Sequence, residues 1–386
     1  MIQGIPYWRL SSFYFFYFCL VGTLNPYLGL YLSDIGLSAK QIGAVAGVLL
    51  GTKIIAPNFW SWLCDHTGRR LLVIAFGGFM AMLSFTGLFF WSAFLPIIIV
   101  TFFYSFFWNA ILPQFDSLTL QHLDKNSHKY SQVRVWGSLG FIVAVVVLGW
   151  LFDRISIEYL IPISWLFLLF IWFSTLIVRE PSRRAHTEQT HTHWLQLLKQ
   201  PPVIAFFSAA FLLQFSFGGY YSFFSLHLES FHYSRTLIGL LWALGVLCEV
   251  GLFMVMHKVI AAVSLSSILF WSLLLTGIRW LIIAYFADSL IVMVFAQSIH
   301  ALSFGAAHAG CIEMIRRFFQ GPNAGQGQAL YSAFGFGAGG ASGAIVSGFL
   351  WEISAELLFT VSAVSAFIAA AVVWFGLTRS QVDHLG

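Results

Sequence analysis

Several charged or titratable side chains stand inside long apolar stretches of this sequence. Asp116 and Arg134 lie near the adjoining ends of two consecutive stretches, and Glu249, Arg279 and His300 lie in three consecutive stretches of the second half. If these stretches cross a bilayer, an ionised side chain at its centre costs roughly 2.5 to 3.5 kcal/mol on insertion scales. Such residues usually bind solutes, carry protons or pair, so the sequence indicates proton and carboxylate chemistry inside a membrane.

Asp116 and Arg134 are placed to meet. Asp116 lies about five residues before the end of its stretch, and Arg134 lies about three residues into the next, which runs in the opposite direction. At 1.5 Å per residue in a helix, both lie roughly 5 to 8 Å below the same surface. They can therefore pair, either within a solute site or as a structural ion pair that locks the two helices.

Glu249, Arg279 and His300 form a second set that suits proton coupling. Burial favours a protonated carboxyl group, whereas a neighbouring arginine favours the carboxylate, so a change in their separation would switch proton affinity. A histidine beside them can relay the proton. We predict Glu249 as the proton carrier, with Asp116 second and His300 as a relay. The alternative for His300 and His308 is a role as hydrogen-bonded packing residues.

The composition of the chain explains the apolar stretches. Of 386 residues, 59% are hydrophobic, 18% are aromatic and only 9% are charged, and the mean hydropathy is +0.84. Soluble domains contain about 25% charged residues, which argues against a water-soluble fold. The short connections leave no room for a soluble catalytic domain, so an enzyme is not expected. The four cysteines show no metal-ligand spacing. His186, His191 and His193 in the middle connection could chelate a metal, but no acid or cysteine completes a site, so we expect no metal and no cofactor.

We predict an all-α membrane protein with twelve transmembrane helices in two pseudo-symmetric six-helix halves. A spanning helix needs about 20 mostly apolar residues. The longest polar interruption, from Arg179 to Pro201, divides the spans six and six. This predicts an N-terminal half at 1–178, a cytoplasmic linker at 179–201 and a C-terminal half at 202–386. The predicted spans are 7–32, 38–62, 71–92, 95–121, 131–152, 157–178, 202–227, 235–257, 264–286, 289–315, 325–350 and 354–377.

The basic residues indicate the orientation. With the amino terminus in the cytoplasm, thirteen of the 19 Lys and Arg residues lie on the cytoplasmic side, three lie outside and three lie within spans. This bias follows the positive-inside rule, so both termini are expected in the cytoplasm. It also explains the basic net charge without nucleic acid as a partner. The expected partners are the lipid bilayer, a small-molecule solute and protons, and a monomer suffices because one chain carries both halves.

The connection between the second and third spans, Ser61–Arg70, combines an acid, a glycine and two arginines. An acid can cap or pair at a helix end, a glycine permits a tight turn, and arginines can bind carboxylates and helix C-terminal carbonyls. The segment resembles the loop signature of the major facilitator superfamily, Gly-x-x-x-Asp-Arg-x-Gly-Arg-Lys. His66 replaces the first Arg of the signature, so the gating role of that Arg does not carry over. The expected gating loop consists of Asp65, Gly68, Arg69 and Arg70.

The surroundings of Asp116 and Arg134 carry a further resemblance. Pro113 precedes Asp116 by three residues, and Arg134 follows the acid by 18 residues, ahead of spaced glycines and Phe141. This arrangement resembles the proton-coupled oligosaccharide and lactose permeases, which implies that Asp116 and Arg134 contact the solute and that Phe141 stacks on its ring. Ser303 replaces a second acid of that pattern, so the coupling scheme of those permeases does not transfer whole.

Seven segments, spread over nearly the whole chain, carry a closer resemblance. They are Asn25–Tyr27, Val133–Ser138, Tyr220–Tyr221, Leu241–Val250, Arg279–Trp280, His300–His308 and Gln328–Ser332. In this order they resemble the bacterial 3-phenylpropionate transporter group. The resemblance implies proton-coupled uptake of an aromatic monocarboxylate across the bacterial inner membrane by alternating access. Arg134 or Arg279 would hold the carboxylate. The residues expected to stack on the ring are Phe141, Tyr220, Tyr221 and Trp242.

Other functions stay open from the sequence. Loop signatures do not separate uptake from export, so a proton-antiport exporter of drugs or metabolites is an alternative, as is a sugar or nucleoside symporter. A membrane-embedded transferase would need clustered acids or a His-Asp couple beside a cytosolic substrate loop, and neither is found. A sensor would usually append a soluble signalling domain, for which we see no room. An ATP-driven pump would need a nucleotide-binding motif, which the sequence lacks.

Overall fold

The computed structural model describes residues 6–180 and 194–377, and every regular element in these ranges is helical. Twelve helices of the described chain are long and apolar enough to cross a membrane, which confirms the predicted all-α membrane fold. They are α1 (Tyr7–Asp34), α2 (Ala39–Thr67), α3 (Arg70–Phe89), α4 (Phe94–Leu123), α5 (Tyr130–Phe152), α6 (Ile157–Leu176), α7 (Pro201–Ser230), α8 (Arg235–Ala262), α9 (Leu265–Tyr285), α10 (Leu290–Phe318), α11 (Ala324–Trp351) and α12 (Ala355–Gly376).

The end of α2 is set by a capping residue and not by the end of the apolar run. The predicted second span ends at residue 62, but α2 continues to Thr67. It ends there because Gly68 adopts the left-handed conformation, with φ 63° and ψ 14°. Its backbone N–H donates to the Cys64 carbonyl at 2.9 Å, which closes the last turn.

The chain forms two compact units. Unit 1 comprises Met1–Ala185 and Tyr233–Ala243, and unit 2 comprises His186–His232 and Leu244–Gly386. The first part of α8 therefore belongs to unit 1 and the rest to unit 2. Most of the predicted linker, residues 181–193, lies outside the described residues, and the predicted division at 179–201 stays a prediction.

Each unit contains a helix crossing at which two backbones touch. In unit 1, a methyl group added at Gly140 of α5 would lie 2.2 Å from the Phe15 carbonyl oxygen of α1. In unit 2, a methyl group added at Gly343 of α11 would lie 2.1 Å from the Phe215 carbonyl oxygen of α7. Glycine is required at both positions because any side chain would push the helices apart.

Asp153, just after α5, caps the first turn of α8 within unit 1. One carboxylate oxygen accepts the Arg235 backbone N–H at 2.8 Å, and the other accepts the Thr236 N–H at 3.0 Å and the Thr236 hydroxyl. Burial alone raises the pKa of Asp153. The hydrogen bonds from Thr236 and Arg235 outweigh burial and hold this pKa below its ordinary value.

Candidate functional site

The predicted gating loop joins α2 to α3 and is tied to α4. The Arg70 guanidinium lies 3.4 Å from the Asp65 carboxylate and donates a hydrogen bond to the Ser117 hydroxyl of α4. Arg69 is exposed. Arg70 of α3 therefore contacts both α2 and α4, Gly68 forms the turn between α2 and α3, and the gating role of the loop stays a prediction.

Asp116 of α4 is held by two tyrosines. One of its carboxylate oxygens accepts the Tyr14 hydroxyl of α1 at 2.7 Å and the Tyr130 hydroxyl of α5 at 2.8 Å. The Tyr14 hydroxyl also lies 3.0 Å from the Thr119 hydroxyl. The two tyrosine hydroxyls therefore fix the position of this half-buried acid between α1 and α5.

Arg134 lies in the same part of unit 1 but is held by rings. Its guanidinium carbon lies 4.1 Å from the ring centroid of Phe18 and 5.4 Å from that of Tyr14, which is cation–π geometry. Gly137 makes room for it, since a methyl group there would lie 2.6 Å from the Arg134 Nη1.

The structure brings Asp116 and Arg134 together around Tyr14. In the part of the chain that the structure describes, the two form no direct ion pair. The expected contact is thus mediated by Tyr14, which donates to the acid and places its ring by the cation. Within the described residues, α4 and α5 are therefore not held together by a direct ion pair between Asp116 and Arg134.

The predicted aromatic residues of unit 1 are buried. Phe141 is 6% exposed, and its carbonyl faces Gly22 of α1, where a methyl group would lie 2.8 Å away. Trp242, in the part of α8 that belongs to unit 1, is 4% exposed. Phe141 thus packs where α1 crosses α5, and its predicted stacking on a solute stays a prediction.

Arg279 of α9 is a fully buried cation in unit 2. Its Nε donates to the Ala296 carbonyl at 3.0 Å, and one terminal nitrogen donates to the Gln297 side-chain oxygen at 2.5 Å. The guanidinium carbon lies 4.5 Å from the Tyr220 ring centroid and 4.7 Å from that of Trp280. The other terminal nitrogen, Nη1, is buried and makes no hydrogen bond within the described chain. The N–H groups of a buried arginine normally all donate hydrogen bonds. The Nη1 of Arg279 is an exception to this rule within the described chain.

Glu249 and His300 meet beside this cation. The His300 Nε2 lies 3.8 Å from a Glu249 carboxylate oxygen, and the two side chains are 8% and 18% exposed, the histidine being the more buried. The Tyr220 ring stacks on His300 with centroids 6.0 Å apart. Tyr221 is half-buried, with its centroid 5.6 Å from that of Tyr220. The structure therefore brings the predicted residues of the second half into one cluster.

The chain matches a known family along most of its length. The model of a family described as MFS_1 like family matches residues 7–361. The chain belongs to this family. It is 28% identical over 363 residues to a maltose permease of Geobacillus stearothermophilus, a match that covers 90% of this chain and 89% of that protein. It is 26% identical over 373 residues to a probable 3-phenylpropionic acid transporter of Escherichia coli K12, with 93% and 95% covered.

A solved structure shares the fold. The nucleoside transporter NupG superposes with a TM-score of 0.84 at 17% identity, covering 97% of this chain and 99% of that one. Like these relatives, this member of the family is a secondary transporter of the major facilitator superfamily, a multi-pass membrane protein that acts on small solutes.

In this major facilitator transporter, three residues that the sequence analysis did not identify make hydrogen bonds to the charged side chains. Tyr14 and Tyr130 hold the acid of unit 1, and Gln297 accepts a hydrogen bond from the buried arginine of unit 2. Gln297 carried a usable signal, since it is an amide inside an apolar span. Tyr14 carried none, because it stands among the many aromatic residues of α1.

Proposed function

We propose that this transporter takes up a small organic solute, such as an aromatic monocarboxylate, together with a proton by alternating access. We place it in a bacterial inner membrane with both termini in the cytoplasm, as the positive-inside bias favours. The names of two relatives, a maltose permease and a probable 3-phenylpropionic acid transporter, support a small organic solute with a ring. One chain contains both units, so a monomer suffices.

The surroundings of the Arg134 guanidinium are the main support for the proposal. Its guanidinium is half-buried against the Phe18 and Tyr14 rings and has no acidic partner in direct contact among the described residues. A guanidinium can bind a carboxylate with two parallel hydrogen bonds, and the rings beside it suit an aromatic body. Asp116, held by tyrosines, would balance the charge of Arg134 before the solute arrives.

Glu249 and His300 support the proton part of the proposal. The His300 Nε2 lies 3.8 Å from a Glu249 carboxylate oxygen, within ion-pair distance, and both side chains are largely buried. The carboxyl group can therefore gain and lose a proton as its surroundings change. Arg279, which has no carboxylate partner in the described chain, lies in the same cluster and would favour proton release when it approaches Glu249.

The test is solute-induced proton influx into proteoliposomes that contain a pH-sensitive dye. The panel is 3-phenylpropionate, maltose and a nucleoside, each added without an ion gradient. We expect acidification with 3-phenylpropionate. Arg134→Ala should abolish both acidification and exchange of labelled solute. Arg154→Ala, whose guanidinium stacks on the exposed Trp150, is the matched control and should retain both.

Glu249→Gln separates proton coupling from solute binding. We expect it to exchange labelled solute but to lose proton influx and proton-driven accumulation. Glu313→Gln, which removes an acid paired with Arg316 and Arg317 at the end of α10, is its control. Accumulation that persists in Glu249→Gln would refute the proposed proton carrier. Acidification by maltose alone would favour the sugar symporter.

A further inference from the structure

Three rings of α10 form a stack inside unit 2. The centroids of His300 and Phe304 lie 5.3 Å apart with 6° between the ring planes, and those of Phe304 and His308 lie 5.9 Å apart with 2° between the planes. Residues eight positions apart in an α-helix differ in direction by about 80°. The π-helical turn Ala301–Gly305 takes up an extra residue and brings the three rings onto one face.

Each end of the stack lies beside a polar side chain. The His300 Nε2 faces Glu249 at 3.8 Å, and its Nδ1 is buried without a hydrogen-bond partner in the described residues. At the other end, the His308 Nδ1 lies 3.3 Å from the Tyr331 hydroxyl of α11. Arg279 acts electrostatically on His300 from α9.

Phe304 separates the two ends. Its ring lies between the two imidazoles and packs against Phe217 of α7, with centroids 5.2 Å apart. A phenyl ring neither accepts nor donates a proton, and it keeps the two imidazoles beyond a hydrogen bond of about 3 Å. Direct transfer from one histidine to the other is therefore blocked in this arrangement.

We propose that Phe304 is a barrier between two proton stations, Glu249–His300 and His308–Tyr331, and that His308 receives the coupled proton when the ring moves aside. This inference rests on the proposed proton coupling. Glu249 gives its proton to the His300 Nε2 and is left as a carboxylate, and the His300 Nδ1 gives up its own proton, which binds His308. His308 then releases that proton, a flip of the His300 ring restores its starting tautomer, and Glu249 takes up the next proton. The π turn is a point where the helix can deform, since such turns often mark functional sites.

Proton leak without solute tests the barrier. Proteoliposomes loaded with potassium and an internal pH dye are given a potential, negative inside, with valinomycin, and the rate of acidification is measured. We expect the wild type to hold the gradient and Phe304→Ala to leak several-fold faster. Phe304→Leu keeps an apolar plug and should not leak. Phe207→Ala is the matched control, since this half-buried phenylalanine of α7 contacts other phenylalanine rings away from the histidines.

The double variant Phe304→Ala/His308→Gln identifies the acceptor. We expect its leak to return to the wild-type rate, and a leak that persists would overturn the role of His308. A Phe304→Ala protein that exchanges labelled solute normally and does not leak would overturn the barrier. The leak assay needs no solute, so a leaking Phe304→Ala alongside a failed symport screen would refute the proposed symport and leave the barrier standing.

Discussion

Unit 1 and unit 2 hold their intramembrane charges in complementary ways. In unit 1 the acid has the stronger contacts, because Asp116 accepts hydrogen bonds from Tyr14 and Tyr130. Arg134 instead makes cation–π contacts with aromatic rings. In unit 2 the arginine is the more embedded group. Arg279 donates to an amide and a backbone carbonyl, while the acid of unit 2 lies 3.8 Å from an imidazole.

The difference shows how a transporter can keep charges available. In unit 1 Tyr14 contacts both the acid and the arginine, and in unit 2 the contacts of the arginine are a glutamine, a backbone carbonyl and two rings, so within the described residues both of these arginines are held by neutral groups. A direct buried ion pair is hard to break, because removal of one partner costs about 3 to 5 kcal/mol. Tyrosine and glutamine stabilise each charge more weakly, and a solute or proton can compete with them.

The largest expected loss of stability comes from replacing the glycine at a helix crossing, and it tests whether the two units depend equally on close helix packing. Gly140→Ala and Gly343→Ala each place a methyl group within 2.2 Å of a facing carbonyl oxygen. We expect each to destabilise the protein by about 1 to 3 kcal/mol or more, because the helices must separate. Thermal unfolding of the purified protein in detergent measures this. Gly251→Ala, with open space around it, should be neutral or slightly stabilising. A response at only one crossing would show that the two units are not packed alike.

A smaller loss of stability is expected when the neutral hydrogen-bond partner of each charged side chain is removed. Gln297→Leu removes an acceptor from a fully buried cation, and Tyr14→Phe removes one of two donors to a half-buried acid. A hydrogen bond to a charged group contributes about 1.5 to 3 kcal/mol, so both should lower the free energy of unfolding. Gln297→Leu should cost more, because Asp116 keeps Tyr130.

Tyr17→Phe is the control for this pair, since the Tyr17 ring stacks on Trp108 at 4.0 Å and its hydroxyl makes no hydrogen bond within the described chain. It should change stability by less than about 0.5 kcal/mol. If Tyr14→Phe proved as mild as this control, the acid of unit 1 would not depend on its tyrosine, and the contrast between the units would fail.

The smallest effect concerns the part of α8 that belongs to unit 1. Asp153→Ala removes the cap on the first turn of α8 and should cost about 1 kcal/mol or less at pH 7, because the site is exposed and screened. The pKa of Asp153 is lower in the folded protein, so its stabilisation is complete above its ordinary pKa of roughly 4 and is lost as the pH falls through the folded value.

Unfolding curves at a series of pH values measure this effect. The gap between the wild type and Asp153→Ala should be constant from about pH 5 to about pH 8, as judged from the ordinary pKa of Asp, and should close at more acidic pH. Glu158→Ala, an exposed acid in the first turn of α6 that makes no cap on α8, should show no such gap. A gap that widens on acidification would contradict the capping role.

The sequence predicted the helices better than it predicted the contacts of the charges. Twelve spans follow from hydrophobicity alone, and the Gly68 turn follows from glycine chemistry. The depth of Asp116 and Arg134 was enough to predict that they share a neighbourhood. It was not enough to predict that Tyr14 lies between them, because any of the aromatic residues of α1 could have faced this point.

The π-helical segments were beyond sequence analysis for a different reason. Ala301–Gly305 and Ser332–Gly339 change which side chains share a face, and such turns have no hydrophobic period of their own. The glycines of α11 account for the close approach at Gly343. They do not indicate that the helix widens at Ser332, directly after Tyr331.

The cap on α8 also bears on how the protein is made. Unit 1 needs Tyr233–Ala243, whose first backbone N–H groups bind Asp153. During synthesis, the first six helices end at Leu176, and Tyr233–Ala243 follows 57 to 67 residues later. Unit 1 therefore stays incomplete until that segment has left the ribosome, at roughly 5 to 20 residues per second. Two genes divided within 179–201 would not encode two self-sufficient pieces, since the first would depend on the second for the first part of α8.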